Sequence, residues 1–109
     1  MEASDYSIVT TTTDTKENAR IITKALLEKK LIACAQCTAT QSSYRWQGNV
    51  IEDEEIFLQM KTKKSLFQKI KKEIESLHTY DVPEIIMTPL LDANEKYLQW
   101  IEDETCSRT

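Results

Sequence analysis

The chain offers one histidine and three cysteines as strong donors. His78 stands in the segment His78-Thr79-Tyr80-Asp81-Val82-Pro83-Glu84, where imidazole, phenol and carboxylate follow one another closely. Imidazole nitrogen is a good ligand for copper and zinc, and also the usual general base near neutral pH. At the end of a helix it also serves simply as a favourable partner of the helix dipole. With a single histidine, any Ser-His or Cys-His pair must use His78, and no nucleophile elbow or glycine-rich loop accompanies it, so no catalytic residue is assigned. Cys34-Ala35-Gln36-Cys37 has the C-x-x-C spacing, but it falls inside a strand-like stretch. Residues three apart on a strand point to opposite faces, so the two thiols read as small apolar side chains, not a chelate. Nothing beside Cys106 suggests an activated thiolate. The run Glu52-Asp53-Glu54-Glu55 suits calcium or magnesium better than copper, yet on a strand its members alternate faces and read as a solvated or cross-strand-paired edge.

The elements that must position these groups follow from composition and periodicity. At 109 residues, with 40% hydrophobic and 29% charged side chains, the chain fits a single domain, 1–109, with an ordered core at about 5–104 and frayed ends at Met1–Ser4 and Cys106–Thr109. A formal net charge of -4 argues against nonspecific binding to nucleic acid or anionic membranes. There is no apolar run of membrane-spanning length and no signal-peptide pattern, and three cysteines are an odd number for a disulfide framework, so a cytoplasmic location is expected.

Tyr6–Thr13, rich in Ile, Val and Thr, suits a strand. Asp14 and Glu17 have capping-box spacing ahead of a helix whose Ala19, Ile22, Ala25, Leu26 and Lys29 form one stripe. Ala33–Gln47 and Val50–Lys63 read as two long strands around a Gly48-Asn49 turn. Ser65–Leu77 returns to helical period, with Leu66, Phe67, Ile70, Ile74 and Leu77 on one face. Glu84–Leu91 is a short strand whose Ile85-Ile86-Met87 run predicts burial on both sides. Asp92 and Glu95 repeat the capping-box spacing before a last helix with Tyr97, Leu98 and Ile101 inward. The order β-α-β-β-α-β plus a terminal helix defines an α+β, ferredoxin-like arrangement: an antiparallel sheet with two helices on one face and a long β2–β3 hairpin.

A Gly48-Asn49 loop would set Trp46 opposite Ile51, Arg45 opposite Glu52, Ala39 opposite Leu58 and Cys37 opposite Met60. Ala39, Leu58 and Met60 then share the helix-covered face, while Tyr44, Trp46 and Ile51 share one face near the turn. Strands of this length reach roughly 45 Å at ~3.3 Å per residue, whereas a globule of this size is about 35 Å across. The tip must overhang its domain, and burial of Tyr44, Trp46 and Ile51 on neighbouring subunits is the expected solution.

These segments resemble the CutA family of divalent cation tolerance proteins. The resemblance runs from about Ile8 to Ile101. It rests on Leu31-Ile32-Ala33-Cys34-Ala35, Tyr44-Arg45-Trp46-Gln47-Gly48-Asn49-Val50, Lys61-Thr62, His78-Thr79-Tyr80-Asp81-Val82-Pro83-Glu84-Ile85 and Tyr97-Leu98-Gln99-Trp100-Ile101. It implies a homotrimer with hairpins joining across the interfaces, tolerance of copper and other divalent cations, and no established catalytic activity. It also implies that His78, Tyr80 and Glu84, with Lys61 and Trp100, line a cleft between subunits. Two departures stand out. Thr38-Ala39-Thr40 replaces an Ile-Pro-Gly step and is one residue shorter. Thr11 and Leu77 stand where some members offer copper a cysteine and a second histidine, which leaves His78 as the one matching metal donor. The expected ligand is copper or another divalent cation, weakly bound. The alternative on the same scaffold is a regulator similar to PII proteins, taking a small metabolite or protein partner in the intersubunit cleft.

Other uses of the fold lack their parts. An RNA-recognition domain wants basic character and exposed aromatics in a Gly-Phe motif. A metallochaperone wants C-x-x-C, and an acylphosphatase-like enzyme a glycine-rich loop, where Thr11-Thr12-Thr13-Asp14 stands.

Overall fold

The computed structural model describes residues 1–107. Its strands are β1 (Tyr6–Thr13), β2 (Cys34–Trp46), β3 (Asn49–Lys63) and β4 (Ile86–Pro89). Its helices are α1 (Lys16–Glu28), α2 (Phe67–Leu77) and α3 (Glu95–Glu104), with short 3-10 turns at Ala3–Asp5 and Lys64–Leu66. All strand pairs are antiparallel and the sheet order is β2-β3-β1-β4, which is the ferredoxin-like arrangement.

Alternation sorts the strands onto two faces. Val9, Leu58 and Met60 point to one face and are wholly buried against Ala19, Ile22 and Leu26 of α1 and Ile70 and Ile74 of α2. The opposite face carries Tyr6, whose ring packs with Leu98 and Ile101 in a second, smaller core. The third helix therefore lies across the sheet from the other two. Lys29 joins α1 to α2 through Glu73 at 2.8 Å.

The hairpin departs from expectation in register but not in facing. The turn residues are Gln47 and Gly48, both at positive φ (49° and 82°), the primed-turn geometry that matches strand twist. Trp46 thus pairs with Asn49, Tyr44 with Ile51, Ala39 with Ile56 and Cys37 with Leu58. Each partner is displaced by two residues from the expected one. A shift of two preserves side-chain facing, so Tyr44, Trp46 and Ile51 still share a face. The pairing runs unbroken from Cys34↔Lys61 to Trp46↔Asn49, so the missing Pro-Gly step leaves a strand without a bulge. β1 accompanies β3 only as far as Thr13↔Ile56, and beyond it β2 and β3 continue as a two-stranded ribbon. The long axis of the molecule is 45 Å.

Local corrections have simple causes. α1 is capped by Thr15, whose hydroxyl accepts from the Asn18 N–H, and not by Asp14, which is drawn to Thr79 instead. The Ser65 start of α2 is a 3-10 turn over Lys64–Leu66. α3 begins after Asn94 without a side-chain cap; Asp92 accepts from the adjacent Ala93 N–H. β4 is half the expected length and lies at the sheet edge, which leaves Ile86 50% exposed and not buried on both sides. Cys106, expected to fray, is tied by its N–H to Lys30 and by its carbonyl to Lys63; the last two expected frayed residues lie outside the described ones.

Candidate functional site

The end of α2 and the segment after it are hydrogen-bonded to α1, β1 and β3. Asn18 of α1, buried on the helix stripe, donates its Nδ2 to the Leu77 carbonyl at 3.0 Å. The His78 ring then lies with Nε2 2.8 Å from the Thr12 carbonyl and 3.4 Å from Thr11 Oγ1, while its Nδ1 accepts the Tyr80 N–H at 3.1 Å. Only a neutral ring protonated on Nε2 satisfies both ends, since a carbonyl only accepts and an amide N–H only donates. Thr79 donates to Asp14 at 2.9 Å. Tyr80 stacks obliquely on His78, 4.9 Å between centroids, and its hydroxyl donates to Glu55.

These anchors divide the acidic run. Glu52 and Glu54 are exposed on one face of β3. Asp53 and Glu55 point to the other, where Asp53 accepts from Tyr44 at 2.7 Å and Glu55, only 6% exposed, accepts from Tyr80. Both phenols are pushed upward. For Tyr80 the causes are burial first and then the Glu55 hydrogen bond and charge. For Tyr44, raised to about 12, the Asp53 hydrogen bond leads.

The 79–84 segment and the overhanging ribbon enclose a groove of about 830 Å³, with Tyr44, Arg45, Trp46, Tyr80, Val82 and Glu84 along its walls. Tyr44, Trp46 and Val82 are exposed there. Of the candidates read from sequence, the structure brings Tyr80 and Glu84 together with Tyr44 and Trp46. Ile51 shares their face of the ribbon by pairing with Tyr44 but is not part of the groove wall. Lys61 and Trp100 are elsewhere. Lys61, opposite Cys34 and Ile8 at the other end of the sheet, donates to Gln36. Trp100, 40% exposed on α3, stacks on Tyr97 at 5.5 Å. Within one chain the five cleft candidates form no single site.

The metal positions are equally separated from a chelate. Both His78 nitrogens are spent on hydrogen bonds, and the adjoining Thr11 hydroxyl and Leu77 side chain are poor copper donors. Cys34 pairs with Lys61 and Cys37 with Leu58, on opposite faces. Among the described residues no group of three or more His, Cys, Asp or Glu side chains is placed to hold a metal ion. Sequence reasoning missed Asn18 and the special place of Glu55. Asn18 was legible as a polar residue on an apolar helical stripe. The Tyr80–Glu55 contact spans 25 positions and left no local signal.

The four-stranded sheet, its two-layer core and the overlong ribbon beside an aromatic groove define a ferredoxin-like subunit with an extended hairpin. The description CutA1 divalent ion tolerance protein matches residues 7–104, and the chain belongs to that family. The divalent-cation tolerance protein CutA of Thermus thermophilus is 42% identical over 99 residues, covering 90% of this chain and 96% of that protein. The solved structure of CutA1 from Pyrococcus horikoshii matches with a TM-score of 0.89 at 40% identity, covering 93% of this chain and 99% of that one. CutA1 from the psychrotrophic bacterium Shewanella sp. SIB1 gives 0.90 at 35% identity, with 94% and 97% covered. Among the described residues no helix is long and apolar enough to cross a membrane.

Proposed function

We propose that the chain works as a cytoplasmic homotrimer that binds divalent cations, copper among them, without catalysing a reaction. The observation that carries the assembly is the ribbon beyond Thr13↔Ile56, which has no third strand and holds Tyr44 and Trp46 38% and 44% exposed. Two-stranded ribbons are marginal alone, and a neighbour that covers this face removes the cost. The unlike patches at the two ends of the sheet suit a head-to-tail contact, which closes into a ring. Such a ring brings Lys61 and Trp100 of one copy towards Tyr80 and Glu84 of the next and completes the cleft.

A cation at this cleft takes His78 as its nitrogen donor, with Glu84, water or a neighbouring subunit supplying the rest. His78 must give up its Thr12 or Tyr80 hydrogen bond to do so, which supports weak binding. The size of the groove favours one further reading: about 830 Å³ is the volume of a small-molecule site, far more than an ion requires, so a metabolite or partner segment fits as well. Light scattering at micromolar concentration tests the assembly, and a monomer refutes it. Calorimetric titration with copper, zinc and common nucleotides separates the ligands: copper heat alone supports the cation reading, and nucleotide heat alone supports the regulator.

A further inference from the structure

The third helix is fastened separately from the rest of the molecule. Its apolar contacts belong to the small core of Tyr6, Leu98 and Ile101, which is distinct from the core under α1 and α2. The polar fastening of the helix itself converges on one carboxylate, while just beyond it the Cys106 N–H donates to the Lys30 carbonyl at 2.8 Å and the Cys106 side chain packs against the main core. Glu102 accepts from the Tyr6 hydroxyl at 2.7 Å with Oε1 and meets Lys63 Nζ at 3.1 Å with Oε2. The same Lys63 ammonium, with its side chain 11% exposed, donates to the Cys106 carbonyl at 2.9 Å. In the segment leading into α3 Leu91 is 99% exposed, and the side chains that hold the segment, Leu90 and Ala93, pack on the same small core.

We infer that α3 (Glu95–Glu104) is a strap that opens as a unit while the sheet and the α1–α2 layer stay folded and Cys106 stays tied to Lys30, and that Glu102 is its latch. Opening uncovers an apolar floor of Tyr6, Ala33 and Leu90 and carries Trp100 away from the sheet. The opening stands on the geometry alone; its consequence for ligand binding rests on the intersubunit cleft proposed above. Tyr6 from β1 and Lys63 from β3 act on the latch directly, and Asp5 of the first 3-10 turn and Asp103 of α3 act on Tyr6. The Tyr6 hydrogen bond, followed by Lys63, holds the Glu102 carboxyl below its ordinary range. The latch is therefore complete at neutral pH and is lost as pH falls through that lowered value.

Native-state hydrogen exchange on the full chain tests this, with β1 and β3 amides as the internal reference. In Glu102→Gln at neutral pH, the α3 amides are expected to exchange at least tenfold faster than in the wild type, with the β1 and β3 amides unchanged. Tyr6→Phe, which removes one of the two side-chain donors, is expected to give a smaller increase confined to the same amides. Acidifying the wild type should lower the protection of the α3 amides selectively, measured against the slower intrinsic exchange at each pH, and this response should be absent in Glu102→Gln. If the variant leaves α3 unchanged, Glu102 is no latch and the inference fails. It fails equally if α3, β1 and β3 accelerate together, because α3 then belongs to the global folding unit. Intact trimers by light scattering alongside a selective α3 response separate the strap from any failure of assembly.

Discussion

The Nε2 of His78 lies 2.8 Å from the carbonyl oxygen of Thr12, which ties the end of α2 to the C-terminal end of β1. The ring completes a bridge, since its other nitrogen accepts from Tyr80 and so sets the residue that reaches Glu55. The one histidine of the chain is a structural fastener before it is a ligand.

Replacing His78 with alanine should therefore lower stability by about 1–3 kcal/mol, because it strands the Thr12 carbonyl and the Tyr80 N–H. Denaturant unfolding measures this. The same variant should lose most copper binding while the trimer persists. Copper affinity equal to wild type would move the site to the cysteines or to the Glu52–Glu55 run.

Trp46→Ala should weaken assembly by about 2 kcal/mol or more, since a large aromatic side chain at the centre of an interface carries a disproportionate share of its energy. Dilution series followed by light scattering read the shift towards smaller species. An unchanged association constant would place Trp46 in solvent and remove the hairpin from the interface.

Gln47 adopts a φ of 49°, where a side chain is strained and glycine or asparagine is at ease. Gln47→Gly should stabilise the hairpin by about 1 kcal/mol. A rise in the denaturation midpoint at constant slope is the expected record, and a fall would show that the Gln47 side chain has a partner in the assembly.

Ser7 is wholly buried and its Oγ has no hydrogen-bond partner among the described residues. Ser7→Ala should leave stability unchanged or raise it by about 1 kcal/mol, because a buried hydroxyl without a partner costs desolvation and returns nothing. Thr62→Ala, by contrast, removes the 2.6 Å bond to the Leu31 carbonyl and should destabilise.

All four tyrosines hold their protons above the ordinary value. Tyr6 is raised to about 12, chiefly by burial and then by Glu102, and Tyr44 to about 12, chiefly by its bond to Asp53. An unfolded tyrosine ionises near ~10. The stability these groups add is therefore full below that value and lost as pH rises through the folded ones. Phenolate absorbance should stay low in the folded protein until well above the free value, then rise together with unfolding. Early ionisation of all four would contradict the Tyr44–Asp53 and Tyr80–Glu55 bonds.

Much of this was legible along the chain. The stripe Ala19-Ile22-Leu26 and its counterpart Ile70-Ile74 determine two amphipathic helices, and the β-branched run before Asp14 a strand, because local period decides which side of an element is apolar. Even the mistaken turn left the hairpin faces intact, since side-chain facing depends on parity alone. Tertiary structure decided what parity and period do not encode. It chose Gln47-Gly48 over Gly48-Asn49, put β4 at an edge where Ile86 is half bare, and sent α3 to the face opposite α1 and α2. It also turned His78 inward and joined Tyr80 to Glu55 and Tyr6 to Glu102, contacts 25 and 96 positions apart. A hydrogen bond acts only over the last few ångströms, so its partners are chosen by how the packed elements meet and not by the spacing of residues along the chain.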